Sequence, residues 1–229
     1  MAARRIGVKS IGTQLELYRS GNVELVRESV QWRTAEEIQE QNRAALLQPF
    51  VVKKHRASRL HYDFRLGWNG VLKSWAMPAG PSDCVGVRSE AIQVEDHRRE
   101  YMGFEGMIPE DRYGSGPVML WDSGMWRPHS ESFDVDAGLR NGHLRFTLHG
   151  AKLKGDWTLV LKQGTRRPDQ RPVWELIKES DSFARSGPAI SILEEAPNSV
   201  STGRTLGEIE RDWSKRKSED PSAPTLFDI

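Results

Sequence analysis

Residues 60–77 read Leu60-His61-Tyr62-Asp63-Phe64-Arg65-Leu66-Gly67-Trp68-Asn69-Gly70-Val71-Leu72-Lys73-Ser74-Trp75-Ala76-Met77. Asn69-Gly70 is the dipeptide best suited to a two-residue hairpin turn, because both central positions need a positive φ. It separates two alternating runs, 60–68 and 71–77, which read as paired strands. With those two residues as the turn, Trp68 faces Val71, Arg65 faces Ser74 and Asp63 faces Ala76. Successive side chains point to opposite faces, so Tyr62, Phe64 and Leu66 read as core while His61, Asp63 and Arg65 share the other face. A buried carboxylate and guanidinium need partners. The small residues opposite them leave room for a ligand.

His55, six residues before His61, is placed to return a second imidazole to the same region. Two histidines and a carboxylate make a three-ligand metal site with open positions for substrate or water. Arg65, one pleat further on, suits bidentate contact with a phosphate. The competing reading is the polar, solvated outer face of an ordinary hairpin.

Working outward, further short strands are expected at 50–54, 90–96, 117–122, 143–149, 156–162 and 172–178, broken by Gly, Pro and Asn. No strand–helix rhythm accompanies them, so the fold expected is mostly β, an antiparallel barrel or sandwich. Seven of the eight tryptophans lie at or before Trp174, which fits an aromatic-rich core. Residues 1–48 read as an N-terminal arm that is helical over about 22–47, carries a Thr34–Glu37 capping-box signature and ends at Pro49. Residues 49–180 make the core. Residues 181–216 form a loop, then a helix opened by a second capping box, Thr205 with Glu208. The segment 217–229 reads as a disordered tail ending in the apolar knot Leu226-Phe227-Asp228-Ile229.

The chain has 229 residues and a net charge of +1, which gives no general attraction for nucleic acid. The basic residues Lys53, Lys54, Arg56, Arg59 and Arg65 nevertheless crowd the metal-ligand segment. A single cysteine, Cys84, excludes an internal disulfide and a cysteine-based zinc site. No signal peptide or membrane-length apolar run is present, so a soluble cytoplasmic, nucleoid-associated protein without a membrane partner is expected.

His97 closes the run Glu95-Asp96-His97 and Tyr101 follows four residues later. On a turn after a strand, the imidazole and the phenol would supply donors to a phosphoryl oxygen. The alternative is a surface turn. The glycine-punctuated segment 105–116 lacks the lysine and following helix of a P-loop and reads as a structural loop. His129, His143 and His149 have no ligand-like spacing.

Taken together, these segments resemble the 3'-phosphoesterase domain of bacterial DNA ligase D. The resemblance runs through Phe50-Val51-Val52, His55, Leu60-His61-Tyr62-Asp63-Phe64-Arg65-Leu66, Leu72-Lys73-Ser74-Trp75-Ala76, Val94-Glu95-Asp96-His97 and Tyr101. It continues in Phe104-Glu105-Gly106, Ile108-Pro109-Glu110, Tyr113-Gly114, Trp174-Glu175-Leu176-Ile177-Lys178 and Ser201-Thr202-Gly203-Arg204-Thr205-Leu206. It implies a compact antiparallel β-barrel core with flanking N- and C-terminal helices. It also implies a divalent metal, typically Mn2+, with other divalent ions as alternatives. The implied reaction trims a terminal 3'-ribonucleotide to a 3'-phosphate and then removes that phosphate to leave a 3'-hydroxyl. By motif, His55, His61 and Asp63 would hold the metal. Arg65, His97 and Tyr101 would grip the scissile phosphate, and Glu95 would support the site. The implied partners are DNA 3' ends, including primer ends bearing a 3'-ribonucleotide or 3'-phosphate, and a separate DNA ligase with end-joining proteins.

Several departures qualify the resemblance. Pro78-Ala79-Gly80-Pro81 stands where the family has a lysine in place of Ala79. Ser89 stands where an arginine normally precedes His97 by eight residues, with Arg88 beside it as a substitute for substrate binding. Lys53 replaces the common glutamine and is a second candidate for substrate binding. The N-terminal arm lacks the family's Lys-Arg-Asp-Phe-type segment. These changes leave open a noncatalytic end-binding module of the same fold. A third reading, an iron oxygenase using His61 and Asp63 with a distant histidine, leaves His55 and Arg65 unexplained.

Overall fold

Asn69 (φ 49°) and Gly70 (φ 80°) form the hairpin turn, joining β2 (Leu60–Trp68) to β3 (Val71–Met77) in the computed structural model of the protein. Residues 47–130, 134–166, 171–186 and 190–219 are described. The pairing is Trp68 with Val71, Arg65 with Ser74 and Asp63 with Ala76, the register that alternation and turn chemistry require. The other strands are β1 (Gln48–Arg56), β4 (Arg88–Arg98), β5 (Gly106–Ile108), β6 (Gly116–Pro128), β7 (His143–Gly150), β8 (Lys154–Arg166) and β9 (Pro172–Lys178). Their order is β1-β2-β3-β4-β9-β8-β7-β6-β5, and a β1–β6 pairing closes eight of them into an antiparallel barrel. The short β5, unmarked in the sequence, extends β6 outside the closed ring.

The interior of an eight-stranded barrel is just wide enough to be filled by side chains. Here that space is aromatic. Phe64 lies 6.1 Å from Phe146 in a stacked arrangement and 6.2 Å from Trp75, and Trp75 meets Trp174 edge-on at 6.1 Å. Trp75, Trp121, Trp126, Trp157 and Trp174 are all buried. Their indole nitrogens find partners where the wall allows, as in Trp126 Nε1 to the Gly67 carbonyl at 3.1 Å and Trp174 Nε1 to Gln93 Oε1 at 2.9 Å.

The helix Val135–Asn141 was not foreseen, although its ends carry readable signals. The Asp134 carboxylate accepts from Ala137 N at 2.8 Å, and Gly142 ends the helix with φ 76°. Asp136 accepts from Trp68 Nε1 at 3.1 Å, which fixes this helix to the β2 end of the barrel. A second short helix, Ile192–Glu195, lies in the segment expected to be a loop. The helix Leu206–Glu219 opens with the expected capping box. Glu208 N donates to Thr205 Oγ1 at 3.3 Å, and Thr205 N donates to Glu208 Oε2 at 2.8 Å. It runs through Glu219, three residues past the expected boundary, and buries Leu206 and Ile209. The expected helix over about 22–47 and the terminal Leu226-Phe227-Asp228-Ile229 lie outside the described residues, apart from Leu47. No helix among the described residues is long and apolar enough to cross a membrane.

Candidate metal centre and phosphate site

The row His61, Asp63, Arg65 lies on the outer face of the barrel, opposite the aromatic core. Yet Asp63 and Arg65 are each only 8% exposed. Segment 99–116 accounts for this. It leaves β4 through the 3-10 turn Arg99–Tyr101, adds β5 and returns along β6, which is paired with β1. Lys53, directly opposite Asp63 in the β1–β2 ladder, donates its ammonium to the carbonyls of Tyr101 and Phe104, the latter at 2.6 Å. Gly114 of the same segment accepts from His55. The site therefore sits between a strand wall and a backbone cover.

His55 and His61 are direct cross-strand partners, with ring centroids 4.8 Å apart. His55 Nε2 bonds the Gly114 carbonyl at 2.8 Å, and His61 Nδ1 bonds the Arg59 carbonyl at 3.0 Å. A carbonyl only accepts, so each contacted nitrogen carries the proton. His55 Nδ1 and His61 Nε2 are left as bare donors. Asp63 Oδ2 lies 3.9 Å from each of these two atoms. All three ligand atoms fall within 4.8 Å of one another. Metal–nitrogen bonds of about 2.1 Å need donors slightly closer than this. Small imidazole rotations close the difference, so the donor set fits a divalent ion. Burial holds the His55 imidazole below its ordinary pKa, which keeps it neutral and ready to ligate.

Arg65 completes the row. Its Nη2 is 3.4 Å from Asp63 Oδ2, while Nε and Nη1 are buried and have no hydrogen-bond partner among the described residues. Buried donors are normally satisfied, so two bare guanidinium nitrogens beside a metal-ligand cluster call for an anion. His97 reaches the same face through a bulge. Ser74 pairs with Val94 but Leu72 pairs with His97, so β4 carries one extra residue between them. Strict alternation from the inward Gln93 would have turned His97 into the barrel. His97 thus lies within the strand, where a following turn was expected. Its Nδ1 donates to the Glu95 carbonyl at 2.8 Å, leaving Nε2 available. Burial and the Arg65 charge hold its pKa below the ordinary value. Glu95 is exposed, and its contact to this face is the carbonyl that accepts from His97. Tyr101 is half-buried, its backbone tied to Lys53.

Two residues expected to contact substrate are engaged elsewhere. Lys53 is 3% exposed, and burial followed by the nearby Arg65 lowers its pKa to about 7. Its role here is to anchor the cover. Arg88 shares the outer face but donates to Glu175 Oε2 at 2.6 Å, on β9, the neighbour of β4 that lies away from β2. Ala79 is exposed in the turn after β3, and Ser89 is buried opposite Leu176.

Two residues that position the site escaped the sequence reading. Gly114, at φ 75°, holds its carbonyl on His55, and a Cβ there would lie 3.5 Å from His55 Cε1. Gly114→Ala adds left-handed strain of about 1–3 kcal/mol, while its Cβ makes only ordinary van der Waals contact with His55. It is expected to weaken divalent-ion affinity about tenfold or more by calorimetry. The glycine-punctuated loop contained this signal without naming its target.

Glu105 is the second. Its carboxylate accepts from Leu120 N at 3.0 Å, Arg204 Nη2 at 3.1 Å and the Thr202 hydroxyl, linking the cover to the segment before the Leu206–Glu219 helix. Burial pushes its carboxyl up, but donors from Ser199, Thr202, Leu120 and Arg204 outweigh that and hold it below the usual range. A depressed carboxyl stabilises the fold above its unfolded pKa of about 4.3 and loses that contribution as pH falls through the folded value. Glu105→Gln is expected to cost about 1–3 kcal/mol at pH 7 in urea unfolding. The gap from the parent protein should close as pH drops below about 4.

Comparison with known proteins follows this geometry. Residues 53–161 match the family described as the DNA Ligase D 3'-phosphoesterase domain. The chain is 47% identical over 157 residues to the multifunctional non-homologous end joining protein LigD of Pseudomonas aeruginosa, covering 69% of this chain and 18% of that protein. It is 44% identical over 117 residues to the multifunctional non-homologous end joining DNA repair protein LigD of Mycobacterium tuberculosis, 51% of this chain and 15% of that one. LigD of Mycolicibacterium smegmatis is 40% identical over 120 residues. The chain thus spans less than a fifth of the length of these relatives.

Proposed function

Because residues 53–161 belong to the DNA ligase D 3'-phosphoesterase domain family, we propose that this protein hydrolyses phosphate esters at DNA 3' ends during end joining. The observation that carries this reading is the buried Arg65 guanidinium, two of whose nitrogens have no partner among the described residues, beside the His55, His61 and Asp63 donors. The proposed substrates are primer ends carrying a 3'-phosphate or a terminal 3'-ribonucleotide, and the product is a 3'-hydroxyl. Manganese is the first ion to test.

His55, His61 and Asp63 would hold a divalent ion, which when bound would supply Lewis acidity toward a phosphoryl oxygen. Arg65 forms two N–H···O bonds to the remaining oxygens and holds the phosphorus in place. His97, with Nδ1 fixed on Glu95, uses Nε2. The arriving phosphate dianion favours the imidazolium, which donates to a phosphoryl or leaving oxygen. Tyr101 offers a further hydroxyl donor. On a 3'-phosphate end, water attacks phosphorus and gives up a proton to solvent, the bond to the 3' oxygen breaks, and that oxygen takes a proton to become the 3'-hydroxyl. On a terminal ribonucleotide the bond to its 5' oxygen breaks first, that oxygen takes the proton, and a 3'-phosphate is left. The His–Asp pair is assigned to phosphate chemistry because residues 53–161 match the phosphoesterase family and His55 joins His61 and Asp63 in the donor set.

The test uses two labelled duplex primers, one ending in a 3'-phosphate and one in a single ribonucleotide, with manganese or with chelator. Manganese-dependent appearance of 3'-hydroxyl product supports the enzyme. Tight end binding without product under either condition would replace it with the noncatalytic end-binding module.

A further inference from the structure

Tyr113 is fully exposed, at 101% of its reference area, and it is the residue immediately before the glycine that holds His55. An aromatic ring normally buries part of its 150–250 Å² or so on folding. This one contributes nothing of the kind, so its exposure is informative mainly because of where the loop places it. The turn around it is tied down on both sides, by Arg112 N to the Pro109 carbonyl at 3.1 Å and Ser115 N to the Arg112 carbonyl at 3.2 Å. At Gly116 a Cβ would fall 2.1 Å from the Arg56 carbonyl, so the loop rests directly on β1 with no space between. The Tyr113 Cα is one peptide, about 3.8 Å, from the Gly114 Cα, whose carbonyl lies 2.8 Å from a metal-ligand imidazole.

The same rim carries a second exposed apolar group. Leu60, 46% exposed, precedes the ligand His61 and pairs with Arg56 at the end of the β1–β2 ladder. Arg59 is exposed nearby in sequence, and on the Tyr113 turn Arg112 is paired with Asp111 at 3.9 Å beside the exposed Glu110. An exposed aromatic next to a buried guanidinium suited to a phosphate has the chemistry that binds an unpaired nucleotide. The guanidinium takes the phosphate and the ring takes the base face. A stacking surface is also tolerant of base identity, which suits an activity on arbitrary ends.

We propose that Tyr113 is a specificity-determining platform on which the base of the 3'-terminal nucleotide stacks while its phosphate occupies the Arg65 site. This rests on the phosphoesterase reading above. It defines the substrate as an end whose last nucleotide retains its base, and it makes the enzyme weaker on abasic termini. Tyr113 makes no contribution to the chemical step, so its loss acts on KM and leaves kcat in place.

The experiment uses the full chain with a primer–template duplex carrying 2-aminopurine as its 3'-terminal base. Chelator prevents turnover, and binding is followed independently by anisotropy. The parent protein and Tyr113→Trp are expected to quench the fluorophore on binding. Tyr113→Ala should bind about tenfold more weakly and leave it unquenched. In turnover with manganese, Tyr113→Ala should raise KM by a similar factor on a 3'-phosphate end with a normal base. On an abasic 3'-phosphate end, parent and variant should coincide. An unchanged thermal midpoint for Tyr113→Ala shows that the fold is intact. Equal quenching and equal KM for parent and Tyr113→Ala would overturn the platform while leaving the phosphoesterase standing. Absence of both end binding and turnover in the parent protein would remove both proposals.

Discussion

Replacing His61 by alanine is expected to abolish metal-dependent release of 3'-phosphate, a loss on the order of 10³-fold or more. His61 contributes Nε2 to the donor set and has Nδ1 fixed on the Arg59 carbonyl, so its lone pair is already aimed. Without it, only His55 and Asp63 remain, and a two-ligand site holds a divalent ion weakly. The fold should survive, because the side chain lies outside the barrel core. The independent readout is thermal stability. An ion that binds only the folded state raises its midpoint by mass action. Manganese should therefore raise the melting temperature of the parent protein and leave that of His61→Ala unmoved. Full activity in the variant would refute the ligand assignment, and an unchanged manganese-induced shift would place the ion elsewhere.

Arg65→Met is expected to lower turnover by 10²- to 10³-fold or so while metal binding persists. Arg65 Nε and Nη1 lack partners among the described residues. Such donors cost desolvation energy until an anion arrives, and their interaction with substrate strengthens as charge redistributes on the phosphoryl group. Arg65→Lys should recover only part of the loss, because an ammonium is a point charge without the planar fork. Inorganic phosphate provides the second readout. It should raise the melting temperature of the parent protein in the presence of manganese, and the shift should disappear in Arg65→Met. A phosphate-induced shift of equal size in the variant would show that another cation takes the anion.

The two predictions differ in how far they were visible before the fold was known. The metal row was legible because alternation and the Asn69-Gly70 turn are local. Once the turn is placed, the side of the strand on which His61, Asp63 and Arg65 lie follows. The capping box at Thr205 and Glu208 is local in the same sense, and it forms as expected. The helix Val135–Asn141 had equally local signals in Asp134 and Gly142, but its seven residues are too few for a clear apolar period. Lys53 could be assigned a face only by knowing that it lies opposite Asp63, and its partners are 48 and 51 residues away.

By itself the sequence determined the hairpin, its register, the chemistry of the donor row and the strand-rich character of the chain. Each of these depends on residues within a few positions of one another. Three features waited for the tertiary structure. The β1–β6 pairing closed the barrel, the extra residue in β4 turned His97 outward, and segment 99–116 folded over the row to bury it. Each is a contact between distant segments, or an irregularity in one strand that has meaning only against its partner. Local periodicity carries no information about which distant strand will be a neighbour. Burial, which turns an ordinary polar hairpin face into a site where two arginine nitrogens have no partner among the described residues, is a property of that assembled wall and cover.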